Sequence, residues 1–337
     1  MSLKLSVLDL APVVSGSSSR ETFKNTLQLA KSVDALGFNR YWLAEHHSML
    51  GIASSAPEIL IGHVASVTKH LRVGSGGIML PNHSALKVAE TFHTLESLHP
   101  GRIDLGLGRA PGTNSRTALA LRGLDENLHV DHFPRLFSDL TTFLTGSFPE
   151  GHPFQGVIAM PEDAQTPEIF ILGSSDFGAR FAAEHGLGFA FAHHFSSLPA
   201  EEVMALYQRG FRPSIFRKKP YAILATNIVA AESAEEADML SIPGDLSFYR
   251  FRQTGKSAPM PTLVDALKVR DQPGLREVIR RPNQSFVGEA SAVAAQVSAF
   301  AEKLSIDEVM ITTMVPDQEA RIRSYRLLAE RFGLEKR

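Results

Sequence analysis

"EIFILGSSDFGARFAAEHGLGFAFA", residues 168–192, is one whole structural unit in a single stretch. Residues 168–172 form an apolar run of strand length, and residues 188–192 form a second. Between them, residues 175–185 carry a helical pattern opened by Gly173-Ser174-Ser175. Strands that read as nearly continuous apolar runs are covered on both faces, and a helical return path leaves successive strands parallel.

The same alternation extends in both directions. Residues 3–10, 41–44, 71–80 and 102–107 read as strands before this unit, and 221–230 and 306–312 after it. Helical patterns fill the intervals at 20–36, 56–69, 85–98, 117–144 and 199–211, and residues 317–331 follow the last strand. In the first helix Leu27, Ala30, Val33 and Leu36 recur near the helical period, and Gly37 supplies the stop. Eight strands, each followed by helical material, predict an α/β fold: a closed (β/α)8 TIM barrel rather than an open doubly wound sheet. One stretch departs from the repeat. Residues 240–286 carry several prolines and glycines between the seventh and eighth strands, and a regular helix resumes at Val287. A long insertion at that position is expected to lie over the barrel mouth as a lid on a single domain spanning residues 1–337.

Bulk properties remove several function classes. The 337-residue chain has a net charge of −2, from 34 Lys+Arg against 36 Asp+Glu, which argues against a nucleic-acid or anionic-membrane binder. It has no cysteine, so disulfides, thiolate metal sites and thiol catalysis are excluded. The opening "MSLKLSVLDLAP" has strand-like alternation rather than a signal-peptide profile, and no apolar run reaches the roughly 18 residues of a membrane helix. A cytoplasmic location is the expectation.

In a (β/α)8 barrel, function gathers where strands end and βα loops begin. After the fifth strand, Gly173, Ser174 and Ser175 open a helix whose first N–H groups have no internal partners and attract an anion such as phosphate. A serine there is also an ordinary helix cap. Arg109 ends the neighbouring fourth strand among small residues, where a guanidinium clamps a phosphate or pairs with a structural carboxylate. "GSGGIMLP" puts Gly76-Gly77 in a buried strand, a sign of close approach by a ligand or of tight barrel packing. After the second strand come Glu45, His46 and His47. Adjacent histidines on a strand end point to opposite faces, which disfavours a shared metal ion. One of them faces the mouth, where an imidazole moves protons near neutral pH.

Together, "WLAEHH" (42–47), "GSGGIMLPNHSALKVAE" (74–90), "PGRIDLGLGRAPG" (100–112) and "ILGSS" (171–175) resemble the bacterial luciferase-like monooxygenase family, in the family's order and over nearly the whole chain. The resemblance implies a barrel that binds FMN non-covalently, reduced by a separate flavin reductase. Dioxygen then forms a peroxyflavin that oxidises a small, fairly apolar substrate. It implies acid/base work by His46 beside the flavin, with Glu45 lining the cofactor mouth. It implies a non-proline cis peptide at Gly76-Gly77, and a phosphate held by Arg109, Gly173, Ser174 and Ser175. It also implies a mobile loop after strand seven and a homodimer. The family's reactive cysteine corresponds to Gly108 here, so light emission does not follow. A deazaflavin-dependent hydride-transfer enzyme and a non-catalytic flavin-binding protein are the alternatives.

Overall fold

The repeat of strand and helix holds throughout. The computed structural model describes residues 3–123, 132–270, 275–280 and 284–337. Its elements run β1 (Lys4–Asp9), α1 (Ser19–Ala35), β2 (Arg40–Leu43), α2 (Pro57–Val67), β3 (Arg72–Ser75), a short β4 (Ile78–Met79) and α3 (Ala85–Leu98). Then come β5 (Ile103–Gly108), α4 (Ser115–Arg122), α5 (Phe133–Thr145), β6 (Glu168–Gly173), α6 (Asp176–Glu184), β7 (Gly188–Ala192) and α7 (Ala200–Gly210). The chain ends with β8 (Ala222–Ala231), α8 (Ala234–Thr254), α9 (Leu263–Arg270), α10 (Leu275–Ile279), β9 (Ser285–Glu289), α11 (Ala290–Leu304), β10 (Glu308–Thr312) and α12 (Gln318–Arg331).

Eight parallel strands close the barrel in the order β1-β2-β3-β5-β6-β7-β8-β10, because β10 pairs with β8 on one side and β1 on the other. Every second residue of these strands points inward. On β2 this gives Arg40, Trp42 and then Ala44, and on β6 Glu168, Phe170 and Leu172: charge at the bottom, a large ring in the middle, a smaller residue at the mouth. At the bottom Arg40 binds Asp104 (Nη1–Oδ2 2.7 Å) and Glu308 (Nε–Oε2 3.1 Å), all nearly sealed from solvent. Burial alone would raise the Asp104 carboxyl, but Arg40 and Arg72 overcome it and hold it below the usual carboxylate range. Above this plug Trp42 and Phe170 meet edge to face at 5.0 Å, and the Trp42 indole N–H donates to Asp104 Oδ2 (2.9 Å). The floor of the barrel is thus filled by these side chains.

Three boundaries differ from expectation. The helix expected over 117–144 is two helices: α4 ends at Arg122, and Gly123 follows at φ +84°; residues 124–131 lie outside the described part. The segment expected to be irregular from residue 240 is helical as far as Thr254, with Pro243 inside α8. Where a helix was expected to resume at Val287, residues Ser285–Glu289 instead form β9, which pairs in parallel with the outer half of β8 from Asn227 to Ala231. A strand this short and only half buried has no periodicity long enough to mark it.

The connection after α8 crosses to the loops behind β1 and β2. Met260 N–H donates to Val13 O (2.7 Å), Ser15 N–H to Met260 O (2.8 Å), and Gly51 N–H to Ser257 Oγ (3.1 Å). Among the described residues no helix is long and apolar enough to cross a membrane.

Candidate active site

A cavity of about 230 Å³ opens at the carboxyl ends of the strands. Its walls are mainly apolar, with Leu8, Trp42, Phe133, Leu172 and Ala225 among them. Six of the residues singled out in the sequence line it: His46, Gly76, Arg109, Gly173, Ser174 and Ser175. The cavity exists because large side chains are missing at particular heights. A Cβ on Gly76 would lie 2.6 Å from Leu8 Cδ1 and 3.2 Å from Trp42 Cβ, so the main chain itself forms that part of the wall. The Gly76–Gly77 peptide is cis.

His46 and His47 part as adjacent strand-end residues must. His46 lines the cavity, and its Nδ1–H faces Gly112 O at 3.3 Å. That partner is an acceptor only, so it selects the Nδ1–H tautomer and leaves Nε2 with its lone pair. Burial pushes the His46 pKa below its ordinary value; the Gly112 carbonyl and Glu45 oppose this but do not win. The ring is therefore neutral at neutral pH.

His47 turns the other way, to Glu45 Oε1 (2.8 Å). Glu45 has no exposed surface and does not line the cavity. It also holds His83 Nε2 (2.9 Å to Oε1) and accepts the Met79 N–H at Oε2 (2.8 Å). Burial would raise Glu45, but hydrogen bonds from His83 and His47 keep its carboxyl below the usual range. Burial opposes charge on His83 too, yet the Glu45 carboxylate raises its pKa. Glu45 therefore binds the loops after β2 and β4 together behind the wall. Gly77 likewise lies behind it, packed against the β5 backbone.

Opposite, the first turn of α6 opens on the cavity. Ser175 occupies the cap position but its side chain makes no capping bond, so the hydroxyl is not consumed by the helix. The Arg109 guanidinium lies on the face of Phe177, 3.8 Å from the ring centre, within cation–π distance. Phe177 is in turn stacked on Phe181 (5.7 Å) and edge-on to Phe133 (6.3 Å). The set of a backbone turn at a helix start, two hydroxyls and a stacked guanidinium matches the donors a phosphate monoester requires.

Five residues had not been singled out from the sequence. His83 and Met79 meet Glu45 across more than thirty residues, and no local spacing signals that. Phe177 sits one residue inside the α6 pattern and reads there as ordinary core. Asn227 and Thr312, register partners on β8 and β10, lie two residues beyond the cavity-lining Ala225 and Met310. Their Oδ1 and Oγ1 atoms are buried without a hydrogen-bond partner among the described residues. An asparagine within the mainly apolar β8 and a threonine closing β10 were the available signal.

The family model described as luciferase-like monooxygenase matches residues 3–312. A luciferase-like monooxygenase of Escherichia coli is 40% identical over 328 residues, covering 96% of each chain. The N-acetyl-S-alkylcysteine monooxygenase of Bacillus subtilis is 31% identical over 339 residues, covering 99% of this chain and 100% of its own. The crystal structure of apo-MsnO8 superposes with a TM-score of 0.91 at 35% identity, covering 99% of this chain and 100% of that one.

Proposed function

This chain belongs to the luciferase-like monooxygenase family, and from that premise we propose that it is a flavin-dependent monooxygenase acting on a small, fairly apolar substrate with reduced FMN and dioxygen. The observation that carries the reading is a single cavity bounded by a neutral His46, the Gly76–Gly77 peptide, Arg109 and the serine-rich start of α6. Bound there, FMN supplies the electrons that activate dioxygen for insertion into the substrate. The chain's own residues bind, orient and shield. Arg109, Ser174, Ser175 and the α6 N–H groups hold the phosphate. Gly76 lets a flat ring lie against the main chain. His46 Nε2 takes or returns a proton at the reacting end. The apolar walls exclude water, and in this reading the connection after α8, hydrogen-bonded at Met260 to the loop after β1, serves as the lid. A separate flavin reductase supplies reduced FMN, and the active form is a homodimer.

The deciding experiment is a gel-filtration retention test with FMN or the deazaflavin, followed by oxygen uptake with a flavin reductase. Retained FMN and substrate-dependent uptake are expected. Retention of the deazaflavin alone sinks the FMN reading, and retained FMN without any uptake over a substrate panel leaves a non-catalytic flavin binder.

Two further outcomes follow. The proton acceptor must be neutral, and the His46 pKa lies below the ordinary 6.5. The substrate-dependent rate should hold on the acid side past that value and fall only as pH drops through the lowered pKa. An acid limb centred above 6.5 assigns the proton transfer to another group. Replacing Phe177 by leucine removes the aromatic face under Arg109 while keeping bulk. FMN affinity should weaken about two- to fivefold, the scale of an exposed cation–π contact, and riboflavin affinity should not change. Equal losses for both flavins would make Phe177 a plain wall residue.

A further inference from the structure

We infer that Met79 is an oxidation site: its thioether sulfur takes up an oxygen atom from hydrogen peroxide released in the cavity when reduced flavin turns over without substrate. The inference rests on the oxygen chemistry proposed above and concerns a residue that reading leaves without a role for its side chain.

Met79 ends β4, just after the cis peptide. It is partly exposed to the cavity, between Ile78 and Leu80, which are buried. Its sulfur occupies space that a side chain at position 108 would need: a Cβ on Gly108 would lie 2.7 Å from Met79 Sδ and 3.0 Å from Cε. The missing side chain of Gly108 is thus what brings the sulfur to the wall. A thioether is readily oxidised by peroxide, and the chain has no cysteine to compete. The other sulfur in the wall, that of Met310, belongs to a side chain only 1% exposed.

The chemistry balances. Reduced flavin and dioxygen yield oxidised flavin and hydrogen peroxide. A sulfur lone pair of Met79 attacks one peroxide oxygen, the O–O bond breaks, a sulfoxide forms and water leaves. Sulfur loses two electrons and the peroxide gains them. The product is polar and larger, and it lies against Gly108 in an apolar wall. It also stands on the residue whose N–H holds Glu45, so the change reaches the His47–Glu45–His83 cluster. Unproductive turnover therefore alters the cavity that caused it, and methionine sulfoxide reductases can reverse the change.

The test is peptide mass spectrometry after incubating the full-length protein with FMN, a flavin reductase, air and excess catalase, without substrate. Catalase clears peroxide from bulk solution. The Met79 peptide should gain one oxygen before the peptides of Met160 and Met239, which are 56% and 38% exposed. Peroxide added to flavin-free protein without catalase should reverse that order, and Met79→Leu should abolish the cavity product. If FMN is retained and oxygen consumed, yet Met79 is not modified first, the inference falls alone. If FMN is not retained, the flavin reading and this inference fall together.

Discussion

Replacing His46 by alanine is expected to lower substrate-dependent oxygen uptake by about 10²–10⁴-fold, the range for a positioned acid/base group, with FMN affinity nearly unchanged. The two effects separate because of how the residue is held. Its main-chain N–H donates to Ser54 O (3.0 Å), and alanine keeps that bond. The substitution removes only the imidazole, whose Nδ1–H faces Gly112 and whose Nε2 is the proposed proton acceptor. The acid limb of the pH profile should vanish with the ring. Wild-type turnover in His46→Ala would take the residue out of the reaction. A large loss of FMN affinity with residual turnover intact would make it a cofactor ligand instead.

The second large effect is expected for Arg109→Ala. Loss of a charged hydrogen bond costs about 1.5–3 kcal/mol, so the FMN dissociation constant should rise about 10- to 150-fold. Riboflavin, which lacks the phosphate, is the control and should bind both proteins alike. If the two flavins lose affinity equally, Arg109 supports the wall rather than the phosphate. Arg109→Lys should recover only part of the loss, because an ammonium neither stacks on Phe177 nor forms two parallel hydrogen bonds.

Much of the fold was legible along the chain. The unit at residues 168–192 shows why: strand, serine-rich turn, helix and strand are each marked by neighbours in sequence, and the alternation repeats until eight strands are reached. The turn at Gly173–Ser175 and the arginine after the fourth barrel strand could be marked as anion-holding for the same reason. Resemblance to the family added which histidine to favour and which peptide to suspect. Where reading by pattern failed, the segment was short or its surroundings were unusual. β9 is five residues long and half buried, and it exists through pairing with an extension of β8. α8 continues through Pro243 because that turn is buried against its surroundings.

By itself, then, the sequence determined the class of the fold, the end of the barrel at which the cavity opens and six of the residues that line it, since apolar period and turn chemistry are local properties of the chain. Only the tertiary structure decided that Glu45 stands behind the wall rather than in it, holding Met79 and His83, and that Phe177 carries Arg109. Those contacts join residues far apart in sequence. They come into being when the barrel closes and sets the distance between neighbouring loops, and no spacing along one strand or helix encodes that distance.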